Sequence, residues 1–216
     1  MDGNGEGFWE NCWKQEDPEE LSVYLDRYYQ LKDSIIDVFK EHRIKSVCDA
    51  ACGFGAYSLA FASNGFQVKS FDISPTAVDF TRRGLERYGM AVDVKTASIL
   101  STGYEDAAFD GVIACSVMDH LTAADAEKAL AELYRITRPG GLLLVSFDTP
   151  EEADRETEHE VLADGSLRYA DNTPRAGMLF HPYSEAEISR LLSGKSVIYA
   201  HTDQKGKQIR ILKRHP

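Results

Sequence analysis

The chain has 216 residues, a hydrophobic content of 43% and a formal charge of −11, which predicts a single globular domain, 1–216, with a sizeable core. The excess of carboxylates argues against a phosphate-binding surface, so we expect no nucleic-acid partner. The N-terminus is polar and no apolar run is long enough to span a bilayer, so we expect no membrane partner and no signal peptide.

The cysteines follow neither a disulfide pattern nor a metal-binding pattern. Three of them, Cys48, Cys52 and Cys115, lie on or beside apolar runs, where a thiol behaves as a small apolar side chain. The sequence lacks the paired CxxC spacing of a zinc site. We therefore expect structural cysteines and a reducing, cytoplasmic location.

The N-terminal region, 1–43, is predicted to form a helical cap. Trp9 and Trp13 are four positions apart and share one face if the segment is helical. A helix is predicted to start after Asp17 as N-cap and to keep an apolar period of 3.6 residues to about His42. Two interpretations stay open for its aromatic residues, core packing or a lid over a ligand. These residues are Trp9, Trp13 and Tyr28.

A strand–turn–helix–strand unit at 46–74 organises the rest of the chain. A short apolar strand leads into the turn Gly53-Phe54-Gly55, a helix follows, and a second strand ends on Asp72. Glycines in the turn let the backbone approach a ligand closely, and the carboxylate at the strand end suits ribose hydroxyls. The unit therefore predicts a nucleoside-cofactor site.

The residues around the turn indicate which nucleoside binds. A dinucleotide fingerprint needs a third glycine where this chain has Ser58, and Asp49 would repel a pyrophosphate but suit an ammonium or sulfonium cation. The run from Asp49 to Gly55 resembles the first motif of class I S-adenosylmethionine-dependent methyltransferases. Asp72 matches the ribose-binding acid of that family.

Later segments resemble the same family in the same order, so the resemblance covers about 45–150. Ser98-Ile99 follow a predicted strand at 91–96, where the family usually has an acid and then an apolar residue near the adenine. The strand from Phe109 to Ser116 resembles the motif beside the methionine part of the cofactor. The run ELYRITRPGGLLLVSF resembles the next motif, with a turn at 138–141 before its buried strand.

The C-terminal third is predicted to contain a hairpin about Asp164-Gly165, a third short strand near Met178, a helix with a capping box at Ser184, and a terminal antiparallel hairpin. The insert 151–183 lies where members of the family differ and build the acceptor pocket. Its plausible pocket residues are Tyr169, Arg175, Met178, His181 and Tyr183.

The resemblance implies an α/β, Rossmann-like fold: a seven-stranded sheet whose last strand is antiparallel, helices on both faces, and a small β insert. It also implies S-adenosyl-L-methionine as the cofactor, with Asp49, Gly53 and Gly55 at its methionine moiety and Asp72 at its ribose. The full set of implied cofactor-binding residues is Asp49, Ala51, Cys52, Gly53, Gly55, Asp72, Ile73, Ser98, Ile99, Cys115, Ser116 and Val117.

The function that follows is methyl transfer to a small-molecule acceptor by a monomer or homodimer. His120 is the candidate general base because imidazole titrates near neutral pH, although a histidine that bonds backbone or caps the next helix explains it equally well. Metal binding at Asp119-His120 is disfavoured because Ser116 stands where another acid would be needed, so we expect no metal.

Two other functions stay open. One is a non-catalytic protein that binds S-adenosylmethionine for structure or sensing. The other is a nicotinamide-dependent oxidoreductase, which Asp49 and Ser58 disfavour.

Overall fold

The computed structural model describes residues 6–148, 155–204 and 206–215. The first five residues of the predicted cap and the start of the predicted insert, 151–154, therefore lie outside the described residues. The helices are α1 Glu6–Gln15, α2 Pro18–Leu25, α3 Ser34–Glu41, α4 Ala56–Ser63, α5 Pro75–Arg87, α6 Ala123–Ile136 and α7 Glu185–Leu191, with a 3-10 helix at Met118–His120. The strands are β1 Ser46–Ala50, β2 Gln67–Asp72, β3 Asp93–Thr96, β4 Phe109–Ala114, β5 Thr137–Phe147, β6 His159–Val161, β7 Leu167–Tyr169, β8 Leu179–Phe180, β9 Ser196–Thr202 and β10 Gln208–Lys213.

Seven strands form one sheet in the order β3-β2-β1-β4-β5-β10-β9. The strands β1 to β5 are parallel to one another, whereas β10 runs antiparallel to both β5 and β9. The strand order reverses between β1 and β4, and such a reversal leaves a crevice at the carboxyl ends of the strands. The predicted sheet, with its antiparallel last strand, is confirmed.

The core lies on both faces of this sheet. In β1, Cys48 and Ala50 pack in the cluster that contains Leu133 of α6, while Val47 packs with Phe39 of α3. Because successive side chains of a strand point to opposite faces, β1 is buried on both sides. This two-sided burial explains why the strand reads as an apolar run rather than as an alternation.

The single helix predicted from 18 to about 42 is wrong, because the structure has two helices separated by an irregular segment. Gln30 in that segment has a left-handed backbone, with φ of 53°. Asp33 starts α3 as a new N-cap, since its side chain accepts a hydrogen bond from the backbone N–H of Ile35 at 3.0 Å. Leu25 of α2 and Phe39 of α3 both remain buried, which kept the apolar period intact across the break.

The turn predicted at 138–141 is instead an irregularity within β5. The register steps from Phe109 opposite Thr137 to Gly111 opposite Leu142, so extra residues of β5 stand against β4. Gly140 has φ of 78°, which the bulge requires. The glycines that suggested a turn therefore bend a strand without ending it.

The insert forms the predicted three-stranded antiparallel sheet, β6-β7-β8. Its first turn contains Gly165 at φ of 86°, and its core consists of Tyr169, Met178 and Phe180 packed against Phe8 of α1. The N-terminal helix and the insert are therefore in contact.

Among the helices of the described residues, none combines the length and the apolar character needed to cross a bilayer.

Candidate functional site

A cavity of about 640 Å³ lies at the carboxyl ends of the parallel strands. Its wall is contributed by the loops that follow β1, β2, β3 and β4, which is where the reversal of strand order predicts a ligand. Of the residues predicted to bind a cofactor, the cavity is lined by Ala51, Gly53, Asp72, Ile73, Ser98, Ile99, Ser116 and Val117.

Asp72 fixes the shape of this cavity and still has hydrogen-bonding capacity. Its Oδ2 accepts from the backbone N–H of Gly53 and its Oδ1 from that of Ser74, each at 2.9 Å. Burial raises the pKa of Asp72, and the two backbone N–H groups act in the opposite direction. A carboxylate has about four acceptor positions, so Asp72 keeps acceptor capacity for a ligand with neighbouring hydroxyl groups.

The two glycines of the turn have different roles. Gly53 has φ of 56°, and a Cβ on it would lie 3.0 Å from the ring of Trp13, so the glycine lets α1 approach the cavity wall. Gly55 has φ of 88° and precedes α4, and a Cβ on it would lie 2.8 Å from Cγ2 of Thr81. Gly55 does not line the cavity; its missing side chain instead lets α5 pack against the turn.

Asp49 points away from the cavity, contrary to the expectation that it faces the ligand. Its Oδ2 accepts a hydrogen bond from the hydroxyl of Ser58 in α4 at 2.6 Å, and that hydroxyl is 2.7 Å from Oγ of Ser70. Burial raises the pKa of Asp49 to about 7, while the Ser58 hydroxyl lowers it. The two residues that argued against a dinucleotide site are therefore direct partners beneath the turn.

Helix α1 covers one side of the cavity. Trp9 and Trp13 both line it; the ring of Trp9 lies 4.7 Å from that of His120, and Trp13 packs on Phe54 at 6.4 Å. Helix α1 is therefore in contact with both the glycine turn and the loop after β4.

A carboxylate holds α1 to the start of α5. Glu10 accepts hydrogen bonds from the hydroxyls of Ser74 at 2.6 Å and Thr76 at 2.8 Å, and it pairs with Lys14 at 3.1 Å. The Ser74 hydroxyl is the main reason why the pKa of Glu10 falls to about 2. An anion at a helix N-terminus is also favoured by the helix dipole.

His120 lies at the cavity on the 3-10 helix after β4. Its Nδ1 is 3.1 Å from the backbone oxygen of Leu179, and because a carbonyl can only accept, this nitrogen carries the proton. Nε2 is 3.6 Å from Oδ2 of Asp119, which is fully buried and whose pKa is raised by burial. The contact with backbone expected of a structural histidine is therefore present.

Several residues predicted for the site lie elsewhere because the sequence does not reveal which side of an element faces the cavity. Tyr169 is only 1% exposed in the core of the insert, and Arg175 stacks on its ring at 5.6 Å. His181 is also buried, with Nδ1 2.9 Å from Oγ of Ser166. The predicted residues that do not line the cavity are Asp49, Cys52, Gly55, Cys115, Tyr28, Tyr169, Arg175, Met178, His181 and Tyr183.

The cavity also has residues that the sequence reasoning missed. Arg168 is the polar member of the alternation Leu167-Arg168-Tyr169, a signal that distinguishes the two faces of β7 without identifying the cavity side. Lys207 of the terminal hairpin does not itself line the cavity but donates to Oγ of the lining residue Ser116 at 2.6 Å, and no local pattern marks it. The other missed lining residues are Gly7, Phe8, Phe71, Ala97, Leu100, Leu121, Thr122, Asp125, Asp171, Gly177 and Leu179.

Comparison with known proteins finds a methyltransferase among both the family models and the curated relatives that match this chain. Residues 48–145 match the family model described as "Methyltransferase domain". A demethylmenaquinone methyltransferase of Thermus thermophilus is 35% identical over 112 residues, which cover 51% of this chain and 50% of the relative. The chain therefore matches about half the length of this curated relative.

Solved structures support the fold. A SAM-dependent methyltransferase from Methanosarcina mazei superimposes with a TM-score of 0.71 at 19% identity, covering 85% of this chain and 98% of that one. The magnesium protoporphyrin IX methyltransferase of Synechocystis, solved with bound SAH, gives 0.62 at 19% identity, covering 89% and 83%. The chain therefore has the fold of these methyltransferase structures, and its residues 48–145 are similar to the methyltransferase-domain family.

Proposed function

We propose that the protein transfers a methyl group from S-adenosyl-L-methionine to a small-molecule acceptor. The observation that carries this proposal is that one cavity joins Asp72 and the glycine turn to His120 and the insert. When bound, S-adenosylmethionine supplies an electrophilic methyl group on a sulfonium sulfur. The protein itself has to hold the acceptor in line, exclude water and receive a proton where the acceptor loses one.

The residues of the wall fit such a cofactor. Asp72 would use its remaining acceptor positions for the ribose hydroxyls, and the apolar side chain of Ile99 with Ser98 would contact the adenine. The turn at Gly53 and the loop at Ser116 would hold the methionine end. Asp49 would act indirectly, because its hydrogen bond to Ser58 ties α4 to the strand beneath the turn.

A small acceptor suits the cavity better than a macromolecule does. About 640 Å³ lies within the roughly 300–1,000 Å³ typical of small-molecule and cofactor sites. The formal charge of −11 gives no support to a nucleic-acid substrate. Demethylmenaquinone and magnesium protoporphyrin IX, in the names of the relatives from Thermus thermophilus and Synechocystis, are also small molecules.

The test of this function combines binding with turnover. Calorimetry with S-adenosylhomocysteine and with NAD should show binding of the first alone. Incubation with S-adenosylmethionine and pools of small hydroxylated metabolites should then release S-adenosylhomocysteine and a methylated product. Binding without turnover in every pool would favour the non-catalytic alternative, and binding of NAD alone would favour the oxidoreductase.

We propose His120 as the general base for an acceptor with an ionisable hydroxyl group. Its Nδ1–H is held by the Leu179 carbonyl, and the buried carboxyl of Asp119 stands 3.6 Å from Nε2, where it would stabilise the imidazolium. His120→Gln should lower kcat by about 100-fold or more, within the range of general-base catalysis, without weakening S-adenosylhomocysteine binding. An unchanged kcat would leave His120 with a structural role only.

We propose that the N-terminal region acts as a lid, with Glu10 holding α1 closed. Because the pKa of Glu10 is depressed, its carboxylate stabilises the closed position of α1 fully above the ordinary carboxyl pKa of about 4.5. This stabilisation is lost as the pH falls towards 2. Glu10→Gln should therefore speed amide hydrogen exchange in α1 at neutral pH and raise the KM of the acceptor. Glu16→Gln removes an exposed carboxylate just after the same helix and is the matched control. Equal exchange rates in both variants would reject the role of Glu10.

A further inference from the structure

We infer that the acceptor carries a carboxylate and that Arg168 binds it. This inference rests on the proposed methyl transfer, because it assigns the acceptor end of the same cavity. Among the described residues that line the cavity, Arg168 is the one lysine or arginine. It lies on β7, the central strand of the insert, whose neighbouring side chains Leu167 and Tyr169 are buried on the other face.

The described residues engage the guanidinium of Arg168 only weakly. Its ion pair within the described part of the chain is with Glu160, at 3.9 Å between Nη1 and Oε2, which is longer than a hydrogen bond. Both side chains are largely exposed, at 51% and 68%, so the pair contributes little to stability. The planar guanidinium therefore keeps its paired N–H donors, which match the two oxygens of a carboxylate.

The acids that share this wall favour a singly charged ligand over a doubly charged one. Asp72 is already bonded to two backbone N–H groups, and Asp125 pairs with Lys128 at 2.9 Å. Asp171 is the remaining carboxylate on this wall among the described residues. A singly charged carboxylate would be repelled less by these acids than a doubly charged phosphate would.

The position of Arg168 also suits the proposed chemistry. Arg168 is the registered partner of Leu179 in β8, and the carbonyl of Leu179 is the group that holds His120. Paired strands are about 4.8 Å apart, so Arg168 lies on the strand next to the one whose carbonyl holds His120, at one end of the cavity. A carboxylate held by Arg168 would direct the remainder of a small acceptor towards His120.

The inference can be tested without knowing the natural acceptor. The probes are matched pairs of hydroxylated aromatic acids and their carboxamides, 4-hydroxybenzoate, 3,4-dihydroxybenzoate and 4-hydroxycinnamate each with its amide. Binding to the protein saturated with S-adenosylhomocysteine is measured by calorimetry, and turnover is measured with S-adenosylmethionine. The wild type should prefer the acid of a pair by at least about tenfold, the scale of one charge-assisted contact.

Variants then distinguish a specific contact with Arg168 from a general effect of the protein's net charge. Arg168→Gln should abolish the preference and leave the affinity for S-adenosylhomocysteine unchanged, while Arg168→Lys should keep part of it. Arg190→Gln removes the same charge from an exposed position on α7 and should keep the full preference. The inference is overturned if no acid binds, if amides bind as well as acids, or if the preference survives in Arg168→Gln. Failure of the wild type to bind S-adenosylhomocysteine would instead overturn the proposed function itself.

Discussion

Replacement of Asp72 by alanine should weaken the binding of S-adenosylhomocysteine by about 100-fold or more. The carboxylate holds the backbone N–H groups of Gly53 and Ser74, and we propose that it also accepts from both ribose hydroxyls. A hydrogen bond to a charged group contributes about 1.5–3 kcal/mol, so losing two to the ligand corresponds to about 3 kcal/mol or more. Each 1.4 kcal/mol is a factor of about ten in affinity, and calorimetry at constant salt measures the change directly.

Two further variants make the Asp72 experiment specific. Asp72→Asn keeps one carbonyl acceptor, so its affinity should fall between those of the wild type and Asp72→Ala. Asp79→Ala removes an exposed carboxylate of α5, whose partner is Arg83, and should leave binding unchanged. If Asp72→Ala bound S-adenosylhomocysteine as tightly as the wild type, the ribose assignment would be wrong.

Replacement of Gly55 by alanine should destabilise the fold by about 2–6 kcal/mol. A side chain at φ of 88° is strained by roughly 1–3 kcal/mol, and the new Cβ would lie 2.8 Å from Thr81 and 3.0 Å from Leu85. Forcing an extra carbon into a packed core typically costs a further ~1–3 kcal/mol. Urea unfolding followed by circular dichroism should show the loss as a lower midpoint with an unchanged slope.

Gly65 provides the matched control for Gly55. It has nearly the same backbone, with φ of 89°, but a Cβ there would meet no atom within 4 Å. Gly65→Ala should therefore cost only the backbone strain, and the difference between the two variants isolates the packing against α5. Equal destabilisation would mean that Gly55 is required for its backbone alone.

The sequence predicted the features that interactions between residues close together in the chain determine. Buried parallel strands read as apolar runs, and the capping box at Ser184 and the Asp164-Gly165 turn mark the ends of their elements. The carboxylate at the end of β2 could be assigned to the cavity because the carboxyl ends of parallel strands share one edge of the sheet. The strand–turn–helix–strand unit and the position of Asp72 followed from these signals, whereas the fold class and the other predicted residues of the cavity wall were implied by the family resemblance.

Other features depend on contacts that no local pattern encodes. Asp49 lies on a strand that is buried on both faces, so an apolar run could not indicate that its side chain points to Ser58 instead of the cavity. The break between α2 and α3 was hidden because both helices bury apolar residues with one continuous period. Lys207 reaches Ser116 from 91 positions away along the chain.

The most direct test of the methyltransferase proposal is a crystal structure of the protein with S-adenosylhomocysteine. We expect the nucleoside to lie over the carboxyl ends of β1, β2 and β4, with both ribose hydroxyls donating to the carboxylate of Asp72 and with α1 closed over it. A ligand bound elsewhere, or an Asp72 carboxylate that makes no contact with the ribose, would contradict the account.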